Sequence, residues 1–327
     1  MRVTVTGGSG FVGSHLLSRL IAAGHDTRNL DIHPSSTHAH LTTIGDIGDL
    51  QACMSAMRGS DAIIHLAALY RDDVRPRELY YNVNVDGTRN IVLAAEACGV
   101  TKIVFTSSFS VYGLDSAGRV EDGELSPAND YGRSKMAAEE ILREWQSRDP
   151  ARSLQIVRPS VIFGDGNRGN VWTLVNQIAS GRFALVGRGT NRKSVAYVGN
   201  VVEFLLLLLE RQGLPTGLYN YADKPDMSVS EIVDLAASTL RKPVKRIPIP
   251  GGVAMLVGYA GDAFTTLIGR PTVINSERVR KFLADTRLPT ERVKDLGFEA
   301  PFELKAAFVR TIQNEFLSSG ERERKTA

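Results

Sequence analysis

At 327 residues, 43% apolar and 23% charged, the chain has the composition of an ordinary soluble protein, long enough for one large or two closely joined domains. A formal net charge of +3 gives no argument for nucleic acid, and Cys53 and Cys98, the only cysteines, exclude a disulfide framework and fit a reducing cytoplasm. From Arg241 to Ala327, Lys and Arg outnumber Asp and Glu by 16 to 10, a local excess that suits an anionic substrate, an anionic membrane surface or a merely solvated face.

Met1 runs straight into the β-branched stretch Arg2–Thr6, with no basic segment or long apolar run before it, which argues against a signal peptide. Gly7-Gly8-Ser9-Gly10-Phe11-Val12-Gly13 follows at once. Apolar residues then recur at helical spacing through Leu16, Leu17, Leu20 and Ile21, with Gly24 as a stop. Strand, glycine loop and helix together are the setting in which such a run binds a dinucleotide. Gly7 and Gly10 permit a tight turn and close approach to a pyrophosphate, Gly13 lets the helix pack against the strand, and the helix N-terminus offers its N–H groups.

Asp31 lies 18 residues beyond Gly13, at the end of a second strand over Thr27–Leu30. A carboxylate there accepts both ribose hydroxyls of an adenosine and repels a 2′-phosphate, so the expected cofactor is NAD rather than NADP. The competing reading is that Asp31 only caps a turn before Pro34. All six histidines fall at or before His65; His33, His38 and His40 read as a polar loop, and no metal is expected.

Gly45-Asp46-Ile47 follows the strand-like LTTI and precedes a helix over Leu50–Met57. Asp61–Ala68 reads as a buried strand leading into a small-residue turn, where Ala67 and Ala68 either let the chain pass close to a cofactor or only pack tightly. Val83–Ala97 has helical spacing and Thr101–Thr106 is a further strand. This alternation predicts an α/β fold, a Rossmann-like doubly wound parallel sheet with both faces covered.

Tyr131 and Lys135 are four residues apart and share one face of a helix. A free tyrosine, with a pKa near ~10, is a poor base at neutral pH. A nearby ammonium and a nicotinamide cation both favour the phenolate.

TGGSGFVG, Asp31, Asp46-Ile47, HLAA, SSFSVYG and YGRSK stand in an order and spacing that resemble the extended short-chain dehydrogenase/reductases. The resemblance implies a smaller C-terminal substrate domain beside the sheet, and Ser108, Tyr131 and Lys135 as the catalytic set, with Ser107 and Ser110 less suited by alignment. It implies cofactor contacts at Gly7, Gly10, Phe11, Val12, Gly13, Asp31, Asp46, Ile47, Leu66, Ala67, Ala68, Asn84, Tyr131, Lys135 and Pro159. Substrate contacts are implied at Ser108, Phe109, Ser110, Arg168 and Lys193. Dehydratases of the family carry an Asp-Glu pair just after the catalytic Thr, and this chain has Phe109 and Ser110 there. Many nucleotide-sugar members carry an Asn near position 161, where this chain has Val161, and the Arg that precedes the YVGNVV-like strand is replaced by Lys193 with Arg192 before it.

LYRDDVRPRELYYNVNVDGTRN, AEEILREW, RPSVIFGDGNRGNVW, NRKSVAYVGNVVEF and YNYADKPDMS resemble bacterial O-antigen-cluster enzymes that epimerise N-acetylglucosamine linked through diphosphate to undecaprenol. The implied function is an NAD-dependent 4-epimerase working through a 4-keto sugar in lipopolysaccharide synthesis. The resemblance implies a homodimer through helices of the Rossmann half; the expected location is the cytoplasm, with peripheral contact on the inner face of the membrane as one of two readings of Gly251–Ile268. A soluble UDP-sugar 4-epimerase, a hydroxysteroid-type oxidoreductase and a cofactor-binding protein without catalysis remain as rivals.

The expected division is a Rossmann domain over 1–165, completed by about 195–225, and a substrate domain from 166–194 and 226–318. Phe204–Leu209 reads as a buried helix. Gly251–Ile268, with Asp262 as its only charge and Lys242, Lys245, Arg246 and Arg270 around it, reads either as a membrane-interface segment or as a core helix. Gly320–Ala327 reads as a frayed polar tail.

Overall fold

The computed structural model describes residues 1–71, 74–113, 117–247, 251–268, 276, 279 and 284–317; Arg270 and the tail from Gly320 lie outside them. The β-branched and apolar runs form β1 (Arg2–Thr6), β2 (Asp26–Asp31), β3 (Thr42–Ile44), β4 (Ala62–His65), β5 (Lys102–Thr106) and β6 (Ser153–Pro159). Further on come β7 (Val161–Phe163), β8 (Ala184–Val186), β9 (Arg192–Lys193), β10 (Val195–Tyr197), β11 (Gly217–Tyr221), β12 (Met227–Ser228) and β13 (Lys245–Ile247). Seven strands make one parallel sheet in the order β11-β6-β5-β4-β1-β2-β3, which reverses direction between β1 and β4. In a doubly wound sheet, that reversal opens a crevice at the carboxyl ends of the two strands.

The near-continuous apolar strands are explained by burial on both faces. On one face Val3, Val5, Ala62, Ile64 and Val104 meet Leu16, Leu17 and Leu20 of α1 (Phe11–Ala22) and Val201, Phe204, Leu205 and Leu208 of α7 (Val198–Glu210). On the other, Ile63, Ile103 and Ile156 meet Met57 of α2 (Leu50–Met57), Ile91 and Ala95 of α4 (Gly87–Cys98), and Leu142 and Trp145 of α5 (Asp130–Ser147). The FLLLLL run is buried as expected, with only Leu207 half-covered. Gly24, in the left-handed region at φ +80°, ends α1. Cys53 and Cys98 are free thiols, and burial pushes the Cys53 thiol up to about 12.

The expected single helix over Val83–Ala97 is split. The short helix α3 (Glu78–Tyr81) runs into a π turn at Asn82–Asp86, and α4 begins only at Gly87. Gly87 is needed there because a Cβ would lie 2.5 Å from Ile47 Cδ1. The π turn aims Asn84 into the protein, where its amide is fully engaged.

A second cluster forms from α6 (Asn170–Ala179), α8 (Val229–Leu240) and the Leu304–Ile312 helix, around Val175, Ile178, Leu185, Val233 and Ile312. Ser228 and Glu231 cap α8 reciprocally. The chain from Ala284 to Leu288 then runs back along β9, with Thr286 N–H donating to Arg192 O at 3.0 Å. Helix α9 (Gly251–Ile268) does not fit the core-helix reading: Leu256 is 68% exposed and Val253, Tyr259 and Phe264 are also exposed. Among the described residues, no helix is long and apolar enough to cross a membrane.

The strands behind α5 are clamped by a buried ion pair. Arg158 on β6 donates through Nε and Nη2 to Glu139 Oε1 and Oε2 on α5, at 2.8 and 2.5 Å, with both side chains 2% exposed. Ser107 Oγ donates to the same carboxylate at 2.5 Å. Arg158 Nη1 reaches Tyr112 Oη at 2.7 Å, and Tyr112 in turn donates to Asn220 Oδ1 on β11 at 2.8 Å. Removing one partner strands a buried charge, whereas removing both does not. Arg158→Leu and Glu139→Leu should each cost about 3–5 kcal/mol, and the double variant less than their sum. Strictly additive losses in urea titrations would show that the pair is not mutually stabilising.

Candidate active site

The glycine turn sits at the point where the sheet order reverses. Gly7 has φ +74°, and a Cβ there would lie 2.6 Å from Ala67 N and Cα, so the exits of β1 and β4 touch backbone to backbone. Gly10 N–H donates to Gly7 O at 3.1 Å. Gly13 differs from expectation: its Cβ would meet Gly7 O at 2.4 Å and Gly8 Cα at 2.5 Å, so it closes α1 onto the turn rather than onto the strand. Phe11 and Val12 form the first turn of α1, whose cap Gly10 has no side-chain acceptor, so the first N–H groups are available to an anion.

Sequence reasoning missed Gly8 and Asn29. A Cβ at Gly8 would lie 2.4 Å from Asn29 Oδ1, which accepts the Gly8 N–H at 2.8 Å. The buried Asn29 amide also donates to Ser9 Oγ and Thr42 Oγ1. The two readings of Asp31 meet in one side chain. Its Oδ1 caps the turn by accepting His33 N–H at 3.1 Å, while its Oδ2 accepts Ser9 N–H at 2.9 Å at the mouth of the glycine turn. Each oxygen keeps a further lone pair for a ligand. Asp46 is exposed and holds Gly48 N–H at 2.8 Å, and Ile47 is buried against Gly87.

Beyond β4, Leu66, Ala67 and Ala68 are half-buried. Asn84 fastens this loop to α5: its Oδ1 accepts Leu69 N–H at 2.7 Å, and its Nδ2 donates to Leu69 O at 3.0 Å and Ser134 Oγ at 2.9 Å. Ser134 Oγ donates in turn to Tyr131 O at 2.8 Å. His65 is fully buried, and that burial lowers its pKa to about 3, so the ring is neutral. Thr88 spends its hydroxyl proton on Asn84 O at 2.6 Å, so His65 Nε2 donates to Thr88 Oγ1 and Nδ1 accepts from Thr6 Oγ1.

Helix α5 is capped by Asn129, whose Oδ1 accepts Gly132 N–H at 2.9 Å. Gly132 lies so close to the preceding loop that a Cβ would come 2.6 Å from Ser110 O. The first turn of α5, which carries Tyr131, is thereby pressed against the Ser110 backbone. Ser108 caps the short 3₁₀ helix Phe109–Tyr112 by accepting Ser110 N–H at 3.1 Å, and its hydroxyl donates to Ser110 Oγ at 3.1 Å. Lys135, one turn beyond Tyr131, is 2% exposed with Nζ 4.1 Å from the centroid of the Phe105 ring. Burial lowers the Lys135 pKa to about 7, opposed by the Glu139 carboxylate. A half-buried phenol and a buried ammonium one turn apart on one helix face are groups that can move a proton on and off an alcohol.

The remaining sites lie further out. Phe109 and Met136 both pack against the cluster of Val111, Tyr112, Ala222 and Leu288. Pro159 ends β6 opposite Tyr221 of β11. Arg168 pairs with Glu315 and lies 4.8 Å over the Trp172 ring. Lys193 Nζ donates to Ala284 O at 2.5 Å, and burial lowers its pKa to about 8. The structure therefore brings Ser110, itself bonded to Ser108, against the first turn of α5, ties Asn84 to the Tyr131 backbone through Ser134, and sets Arg168 and Lys193 on separate elements of the C-terminal part.

Residues 3–222 match the NAD dependent epimerase/dehydratase family. The chain is 45% identical, over 96% of its length and 95% of the relative's, to the N-acetyl-alpha-D-glucosaminyl-diphospho-ditrans,octacis-undecaprenol 4-epimerase of Escherichia coli O157:H7. It is 31% identical to the 3 beta-hydroxysteroid dehydrogenase/Delta 5-->4-isomerase of Mycobacterium tuberculosis, over 95% of this chain and 89% of that one. Its fold matches that of MoeE5 in complex with UDP-glucose and NAD, with a TM-score of 0.76 at 24% identity, covering 98% of this chain and 100% of that one. The cradle that a Cβ would fill at Gly7, Gly8 and Gly13, with the Asp31 carboxylate at its mouth, fits a dinucleotide bearing a free 2′-hydroxyl. NAD is the cofactor, and the chain belongs to the NAD dependent epimerase/dehydratase family.

Proposed function

We propose that this protein interconverts N-acetylglucosamine and N-acetylgalactosamine at sugar carbon 4 while the sugar is joined through diphosphate to undecaprenol, in surface-polysaccharide synthesis. One observation carries the reading. The chain is 45% identical over nearly its whole length to an enzyme named for that reaction, and it carries Tyr131 and Lys135 one turn apart on α5. Phe109 and Ser110, where dehydratases of the family would carry acids, leave no carboxylate to expel water at that point.

Gly7, Gly10, Phe11, Val12, Gly13 and Asp31 would hold the cofactor, with Asp46, Ile47, Leu66, Ala67, Ala68, Asn84 and Pro159 around it. When bound, NAD supplies a hydride acceptor at carbon 4 and later a hydride donor to the opposite face of the sugar. Tyr131 Oη takes the proton of the 4-hydroxyl. Lys135, a cation one turn away, stabilises the phenolate that does so. Ser108 Oγ hydrogen-bonds the same sugar oxygen and so holds the 4-keto sugar between the two half-reactions. After the sugar has turned, Tyr131 returns the proton, and the epimer leaves with no net redox change. Lys193 and Arg168 are the cations assigned to the diphosphate, Arg168 after exchanging Glu315 for it.

This reading divides the chain into a cofactor part, 1–165 with about 195–225, and a substrate part from the rest. It places the protein at the cytoplasmic face of the membrane as a homodimer; Leu93 on α4, 48% exposed, is an apolar side chain that such a contact would cover. The 31% identity to a hydroxysteroid dehydrogenase favours a second reading, net oxidation of an apolar alcohol.

A paired assay with the diphosphoundecaprenyl sugar and with UDP-N-acetylglucosamine should show turnover of the lipid-linked sugar. Turnover of UDP-N-acetylglucosamine alone would sink the proposal, and stoichiometric NADH accumulation on an apolar alcohol would favour the second reading. Tyr131→Phe should lower kcat by roughly 10²–10⁴-fold; a loss within about tenfold would remove Tyr131 from the role of base.

The buried ammonium makes a further expectation about stability. Lys135 binds its proton up to about pH 7 when folded and to 10.5 when unfolded, so its burial penalty is full below pH 7 and fades as the pH rises toward 10.5. Lys135→Met should therefore raise Tm at pH 6.5, raise it less at pH 9.5, and abolish turnover. An unchanged or lower Tm at pH 6.5 would contradict this.

A further inference from the structure

Helix α9 is amphipathic in the wrong sense for a surface helix in water. Its one charge, Asp262, is half-buried, and both carboxylate oxygens lie 3.3 Å from Ser276 N. Gly258 on that side is buried and Met255 half-buried. At about 100° per residue, Gly252, Val253, Leu256, Tyr259, Ala260 and Phe264 share the opposite arc, about 140° wide. That arc carries no charge, and Val253, Leu256, Tyr259 and Phe264 on it are 45–68% exposed. A contiguous apolar face of this kind marks a surface that something covers.

The chain entering α9 indicates what covers it. Arg241, Lys242, Lys245 and Arg246 are all exposed, and so is Ile247 at the end of β13. Of these, Arg246 pairs with Asp234 on α8. An apolar stripe bearing an amphipathic tyrosine and no acid, preceded in the chain by exposed cations, complements an anionic lipid interface, where apolar side chains enter the acyl boundary and cations meet phosphates. A helix that lies in the interface plane needs no membrane-spanning length, in keeping with the absence of a spanning helix among the described residues.

We propose that the outward face of α9, with Arg241, Lys242 and Lys245 in the chain leading into it, seats the protein on an anionic membrane surface. The inference rests on the lipid-linked reading for its purpose, because a polyprenyl substrate stays in the bilayer while its diphosphate sugar is turned over. The seat is joined to the candidate substrate site by the chain itself. After α9 it returns as Ala284–Leu288, where Ala284 O accepts from Lys193 Nζ and Thr286 pairs with Arg192.

The test is co-sedimentation of the full chain with vesicles, without substrate. Wild type should bind phosphatidylglycerol-containing vesicles at least about tenfold more tightly than pure phosphatidylcholine ones, and less well as salt rises. Leu256→Asp/Phe264→Asp should lose about tenfold or more, and Lys242→Glu/Lys245→Glu should lose the preference for anionic lipid. Both variants should keep wild-type Tm and wild-type turnover of a water-soluble, short-chain diphosphate-linked N-acetylglucosamine. Equal binding to both vesicle types, or undiminished binding by Leu256→Asp/Phe264→Asp, would overturn the proposal. So would a change from dimer to monomer in that variant without any vesicle binding by wild type, which would assign the face to a second copy. Vesicle binding together with turnover of UDP-sugar alone would uphold the membrane seat while the substrate reading fell.

Discussion

Lys135 is held almost entirely out of water, and the side chains around it are arranged to make that tolerable. The Phe105 ring lies under Nζ, and the Glu139 carboxylate stands one turn further along α5. On the same ring stacks His65, which burial and the nearby ammonium both keep neutral. A second cation there would make the site untenable. None of these groups supplies Lys135 with a full, close counter-charge, so the ammonium remains costly in the resting protein. A phenolate on Tyr131, one turn back on the same helix face, would add a negative charge on that side. With Tyr131 as the proposed base, the site would be better matched to the moment when the substrate proton has been taken than to the moment before, which is the sense in which an enzyme favours its transition state.

Behind that helix stands the ion pair of Glu139 with Arg158, whose work is mechanical. Ser107, Glu139, Arg158, Tyr112 and Asn220 link the exit of β5, the middle of α5, β6 and β11 through hydrogen bonds of 2.5–2.8 Å. On the cofactor side, Asn84 ties the loop after β4 to Ser134 and so to the Tyr131 backbone. The turn that presents the phenol is thus fixed from two sides, by a charged clamp at its back and a neutral amide at its front.

What could be read from the sequence follows from how local each signal is. The strand–glycine–helix run, Asp31 and the four-residue spacing of Tyr131 and Lys135 are short-range patterns, and the elements they belong to formed where expected. Asn29 escaped notice because its role is a contact across β1 and β2 with the backbone of Gly8. Glu139 and Arg158 lie 19 residues apart on different elements, and neither side chain announces the other. The partner of Arg168 is 147 residues away. For Gly251–Ile268, apolar content gave the helix but not which of its faces meets water. That depends on the packing of Asp262 and Gly258, which no periodicity records.

The central sheet is closed at one edge by β11, which pairs with β6 only after the chain has left the sheet, built β8 to β10 elsewhere, and returned through α7. Until synthesis reaches Tyr221, β6 is an uncovered edge, and the sheet face that α7 will cover, including Val5 and Ile64, has no lid. A nascent chain released at the end of the glycine-loop half would thus present a sticky parallel edge and a bare apolar face. The order of the elements makes completion of the central sheet wait for α7 and β11, which the chain reaches only after building β7 to β10 outside that sheet.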